Sequence, residues 1–165
     1  MEDEKENFQI PDFALHLNSK GRGKGIATYY KENTIQHETD ISDSSLQISK
    51  FSSPDIDILV LYRSQNCNLK DLKNHLEALT EINKAQIIIG DFNCCQLTSS
   101  TNVLSSYLRE NKFTPLISEP THTDGNILDQ AYVRDTENIY NFTAELHTKY
   151  YTDHKGLGIV IKKGL

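Results

Sequence analysis

Apolar residues recur along this chain in two periods, and those periods divide it into strands and two helices. A short strand is expected over residues 8–17. Gly23-Lys24-Gly25 then turns into a second over residues 26–30, where Thr28, Tyr29 and Tyr30 are strand formers. Leu46 and Ile48, with Phe51 beyond them, alternate with polar neighbours, as in a half-buried strand. Ile58-Leu59-Val60-Leu61-Tyr62 has no such alternation, which predicts a strand covered on both faces. Leu69, Leu72, Leu76, Leu79 and Ile82 recur at steps of three and four, giving one apolar helical stripe with Asn68 as its N-cap. Ile87-Ile88-Ile89 reads as a second covered strand, ended by Gly90. A shorter helix is expected over residues 103–109, capped by Ser100 or Thr101, and strands follow over residues 127–133, 139–146 and 158–161.

No repeat, low-complexity tract or linker divides the chain, and its 165 residues fit one domain with a substantial core. Residues 1–7 read as a polar tail and residues 8–165 as the domain. A strand-helix-strand unit with few other helices predicts a sheet-rich α/β sandwich. The two covered strands run apolar until they stop at polar groups, Tyr62-Arg63 in one and Asp91-Phe92-Asn93 in the other. Side chains at neighbouring strand ends gather at the lip of a sheet, a common place for a site in α/β folds.

Composition narrows the classes. Hydrophobic residues make up 37% and charged residues 24%, so neither disorder nor a membrane span is favoured. The start, Met1-Glu2-Asp3-Glu4-Lys5-Glu6, is acidic, the opposite of a secretory signal. Cys67, Cys94 and Cys95 show no metal-ligand spacing, and an intracellular location, nuclear or cytoplasmic and not secreted, is expected. Without a secretory signal, Asn141-Phe142-Thr143 reads as a chance glycosylation match. A net charge of -6 argues against holding DNA by long-range attraction alone. It does not exclude nucleic acid as a substrate, since metal sites concentrate carboxylates. Lys20, Arg22 and Lys24, and Lys162-Lys163, read as ordinary solvated surface.

Three short segments can carry chemistry. In Gly90-Asp91-Phe92-Asn93, glycine lets the backbone turn away, and Asp91 and Asn93 can face one side as a charged acceptor and a neutral donor. The same residues also favour plain turns. Thr152-Asp153-His154 sets a metal ligand beside a base or phosphate-polarising imidazole, although an exposed loop histidine is the commoner case. Asp129 stands in an apolar stretch where an unpaired carboxylate is costly, so a partner such as a histidine is implied. If Asp91 and Asp153 lie about 4 Å apart, their repulsion is on the order of 4 kcal/mol at a protein-surface dielectric. A hard divalent cation relieves that repulsion and polarises a phosphate. His122, ahead of Asp124-Gly125, reads equally as a substrate contact or as part of a turn.

The ordered set Arg22-Gly23-Lys24-Gly25-Ile26-Ala27, Tyr62-Arg63, Ile89-Gly90-Asp91-Phe92-Asn93, Leu128-Asp129 and Thr152-Asp153-His154 resembles the endonuclease/exonuclease/phosphatase superfamily. That group includes DNase I-like and abasic-site endonucleases, and the likeness is strongest to endonuclease domains of retrotransposons and helicase-linked transposons. The resemblance implies a four-layered α/β sandwich, two sheets face to face with helices outside. It implies that Asp91 orients or activates the attacking water and that Asn93 hydrogen-bonds the scissile phosphate. His154 would polarise that phosphate or act as base, oriented by Asp129, while Tyr62 contacts the phosphate. Asp153 would bind or support the metal, Mg2+ with Mn2+ as a substitute.

The family pattern also supplies an asparagine on an opening strand and a metal-binding glutamate after it, and neither is present here. The resemblance therefore implies an N-terminally truncated domain, with a weakened metal site and exposed sheet edges. Glu2, Glu4 and Glu6 stand near the gap but read as a solvated run. The leading function is Mg2+-dependent phosphodiester hydrolysis, an endonuclease acting on DNA, weak or inactive in this chain. Its rival is a non-catalytic remnant or binding module.

Overall fold

The computed structural model describes residues 9–20, 25–94, 102–148 and 154–164. In chain order the elements are β1 (Ala14–Ser19), β2 (Gly25–Tyr30), β3 (Gln36–Ser42), β4 (Leu46–Ser52), β5 (Ile56–Arg63) and helix α1 (Leu69–Leu79). Then come β6 (Ala85–Asp91), helix α2 (Val103–Glu110), β7 (Thr114–Pro115), β8 (Asp129–Arg134), β9 (Tyr140–His147) and β10 (Gly156–Lys163). Six strands form one mixed sheet in the order β3-β4-β5-β6-β8-β7, and β1-β2 and β9-β10 are separate antiparallel pairs. β5 and β6 run parallel because α1 carries the chain back between them, while their outer neighbours run antiparallel.

α1 forms where its stripe predicts. The Asn68 side chain accepts from the backbone N–H of Lys70 at 2.9 Å, and Leu72 and Leu76 are completely buried. Burying each leucine contributes about 1.5–3 kcal/mol. The stripe is shorter than expected, however. The helix stops at Leu79, and Ile82 lies beyond it with 74% of its surface exposed. α2 is capped beyond the expected Ser100 or Thr101, by Asn102, whose side chain accepts from the Ser105 N–H at 2.8 Å. Ser100 and Thr101 lie outside the described residues.

Alternation along β6 assigns the two faces of the main sheet. Ile88 packs with Leu59, Leu61 and Tyr132 beneath α1 and α2, in one cluster with Leu72, Leu76, Leu104 and Leu108. Ile87 and Ile89 face the other way, onto Phe142, Ile159 and Ile161 of the β9-β10 pair. The expected α/β sandwich is therefore formed, with helices on one face of a sheet and strands on the other. Among the described residues both helices lie on the same side.

Two strands depart from expectation. β4 is buried along its whole length, although Gln47 and Ser49 alternate into it as polar residues. The β1-β2 pair covers that second face, and Asn18 of β1 donates to the Ile48 carbonyl and the Ser49 hydroxyl at 3.2 Å each. A polar position is thus buried but satisfied. β6 does not stop at Gly90 but continues to Asp91. Gly90 has φ +147°, and a Cβ there would sit 1.9 Å from the Leu61 carbonyl oxygen. The glycine permits close approach of β5 and β6 within the sheet.

Candidate functional site

Register gathers the site. Tyr62 of β5 lies opposite Asp91 of β6, and Asp91 lies opposite Asp129 of β8. A period of two puts Asp91 on the face of Ile87 and Ile89, and Asp129 on that of Ala131 and Val133, toward the β9-β10 layer. His154 stands just before β10 and enters from that layer, with Nδ1 2.7 Å from Asp129 Oδ2. One ligand-type atom each from Asp91, Asp129 and His154 lies within 4.8 Å of the other two.

The chain beyond Asp91 is held from several directions. Phe92 is completely buried, with its N–H donating to the Leu128 carbonyl at 3.0 Å. Asn93 has φ +49° and donates its backbone N–H to Asp91 Oδ1 at 2.9 Å, the local turn its composition suggested. Buried Arg63 donates from Nη1 to the Phe92 carbonyl at 2.9 Å and the Asn93 carbonyl at 3.3 Å. Gln65 donates to Asn93 Oδ1 at 3.4 Å, so the side-chain amide nitrogen is the donor end of Asn93.

The approach to Asp129 is fixed by Thr121, whose fully buried hydroxyl accepts from the N–H groups of Leu128 and Asp129, each at 3.0 Å. Its neighbour His122 bridges to His154, with ring centroids 4.9 Å apart and nearly perpendicular, and lies 2.8 Å from Asp124. The turn reading of His122 is realised. Gly125 N–H closes a turn onto the His122 carbonyl at 3.1 Å, and the ring borders the site.

Burial pushes the Asp91 carboxyl up to about 6, and the Asp129 charge adds to the rise, while the Asn93 N–H, His154 and His122 oppose it. Two carboxylates about 4–5 Å apart repel by roughly 3–4 kcal/mol at an effective dielectric near 20. That strain and the hard oxygen donors suit a divalent cation of the Mg2+ type, which binds through one or two carboxylates and keeps several waters.

No family model matches the chain, and no curated protein does. Solved structures do. The endonuclease domain of TRAS1, a telomere-specific non-LTR retrotransposon, superposes with a TM-score of 0.68 over 93% of this chain and 80% of its own, at 11% identity. An endonuclease/exonuclease/phosphatase family protein from Bacteroides thetaiotaomicron gives 0.60 over 97% and 76%, at 12% identity. D. rerio TDP2 complexed with single strand DNA product gives 0.53 over 92% and 78%, at 9% identity. The chain has the DNase I-like fold.

Within this DNase I-like domain, the structure brings Asp91, Asp129 and His154 together and sets Tyr62 and Asn93 beside them. Asp153, with Thr152 and the Arg22-Gly23-Lys24 segment, lies outside the described residues. Cys94 is half-buried against the helix-side core. Arg63 is legible in the sequence only as part of the Tyr62-Arg63 strand end, with no role of its own, and Thr121 has no signal there. Both act on backbone groups brought near only by folding.

Proposed function

We propose that this domain hydrolyses phosphodiesters of DNA with a divalent cation, Mg2+ foremost, at the cluster of Asp91, Asp129 and His154. The convergence of two carboxylates and an imidazole at the ends of β6 and β8 is the observation that carries this reading. Asp91 is the carboxylate of the cluster that would face the cation, with Asp153 a further ligand by the family resemblance, and the cation would supply positive charge against the phosphate. Asp91 orients the attacking water, and a carboxyl raised to about 6 is a stronger proton acceptor than an ordinary aspartate. His154 has Nδ1 against Asp129, so Nε2 is the nitrogen that meets a phosphate oxygen. The Asn93 amide donates to the same phosphate, and Tyr62 contacts it from the adjacent strand.

DNA as the substrate is supported by two of the structural neighbours, a retrotransposon endonuclease domain and a protein bound to a single-stranded DNA product. Among the described residues no glutamate joins the cluster, so a weak activity is expected. The test is nicking of supercoiled plasmid with Mg2+ or Mn2+, beside Asp91→Ala and His154→Ala. Nicking abolished by both substitutions supports the proposal. Intact plasmid, with circular dichroism showing a folded chain, would make the domain a binding module or a silent remnant.

A further inference from the structure

A second group of metal-type ligands lies on β1 and β3, away from the strand ends that form the site above. His16 Nε2 is 3.0 Å from both Asp40 carboxylate oxygens, and His37 Nε2 is 3.0 Å from Asp40 Oδ1. The two imidazoles stack, with centroids 3.9 Å apart and planes at 26°. Phe51 presses on both, at centroid distances of 5.6 and 5.4 Å.

Two devices build this cluster. In a regular strand, residues three apart face opposite sides. A bulge between His37 and Thr39 shifts the register, so that His37 pairs with Phe51 and Asp40 with Ser49. Those partners are two apart on β4, so His37 and Asp40 share a face, the one covered by β1-β2. His16 then descends from β1 to the same carboxylate. Burial alone would raise the Asp40 carboxyl, but hydrogen bonds from Ser49, His37 and His16 outweigh it and hold it below the usual range.

We propose that His16, His37 and Asp40 form a second metal site, of the Zn2+ class, fastening the β1-β2 pair to the edge of the main sheet. Both Nε2 atoms converge on one carboxylate, and one cation can replace the protons now shared there. Ligand atoms around a tetrahedral Zn2+ stand about 3.3–3.4 Å apart, for bonds of about 2.0–2.1 Å. The observed 3.0 Å nitrogen–oxygen separations lie just inside that spacing, all three ligand atoms lie within 4.8 Å of one another, and binding would spread the stacked rings. Two imidazole nitrogens and one oxygen suit Zn2+ and disfavour Mg2+, which takes oxygen donors. The side chains remain 21%, 28% and 31% exposed, which admits the ion and a water as fourth ligand. Since β1 and β2 form a sheet separate from the main one, an ion shared between β1 and β3 would stabilise the folded chain directly.

Calorimetric titration of the metal-free protein with Zn2+ tests this. One binding event should weaken more than about tenfold in His37→Ala and in Asp40→Ala. The same event should survive in Asp91→Asn, which separates it from any ion at the nuclease cluster. Zn2+ binding that is unchanged in His37→Ala and Asp40→Ala overturns the proposal. Should those variants fail to fold, long-range 1H–15N imidazole spectra of the wild-type chain decide. Zn2+ must move the Nε2 resonances of His16 and His37, and movement of His154 alone refutes the site.

Discussion

Replacing Asp91 by asparagine should stabilise the metal-free protein while abolishing its proposed activity. The folded carboxyl titrates at about 6 against an ordinary 3.8, raised first by burial and then by Asp129. A raised carboxyl favours the protonated form in the folded chain, so its stabilising contribution is complete below pH 3.8 and is lost as pH rises through about 6. At about 1.4 kcal/mol per pH unit, the full loss is about 3 kcal/mol, and solvent reaching the half-buried group trims it to about 1–2 kcal/mol. Asparagine carries no charge to lose and keeps an oxygen for the Asn93 N–H. Urea unfolding with a chelator present is the assay. Asp91→Asn should raise the midpoint at pH 8 by roughly 0.5–1 M for a slope near 2 kcal/mol/M, and the advantage should shrink toward pH 4.5. Adding Mg2+ should then raise the wild-type midpoint and leave the variant unmoved. A variant less stable at pH 8, or one whose advantage is the same at both pH values, refutes the electrostatic account of this site.

Other perturbations test how the site is held. Gly90→Ala places a Cβ against the Leu61 carbonyl at φ +147°, so it should cost more than about 4 kcal/mol and leave little soluble folded chain on circular dichroism. Thr121→Val removes the acceptor of two backbone N–H groups and should cost about 1–3 kcal/mol in urea unfolding, with a further fall in nicking as Asp129 loosens. Asp57, 1% exposed, pairs with Lys84 at 3.1 Å and Lys50 at 3.4 Å. Asp57→Ala would leave Lys50 with the more exposed Glu38 and Glu81 and Lys84 with the Ser52 hydroxyl, and should lower stability by about 1–3 kcal/mol, without changing cation dependence in the nicking assay.

Much of the fold was legible because its signals are local. The leucine steps from Leu69 and the Asn68 cap specify α1 within a few turns, and unbroken apolar runs mark β5 and β6 as covered strands. Misreadings fell where burial depends on a distant element. β4 reads as half-solvated until β1-β2 covers its polar face, and Ile82 reads as stripe until the chain leaves the helix at Thr80. β7, two residues long, and β3, polar along most of its length, carry no periodic signal at all.

The candidate site divides in the same way. The order of the motifs that hold Tyr62, Asp91, Asn93, Asp129 and His154 was enough to name them as candidates, through the family resemblance those motifs carry together. Only the register of β5, β6 and β8 aligns Tyr62, Asp91 and Asp129 in one row, and only the packing of β10 delivers His154 to Asp129. The cluster of His16, His37 and Asp40 lies wholly on the tertiary side of that division. Its residues show no ligand spacing, and a bulge together with the meeting of two sheets creates their shared face. Sequence determined which residues are polar where apolar ones were expected. The tertiary structure decided which of them meet, because pairing across sheets joins positions that no short-range period relates.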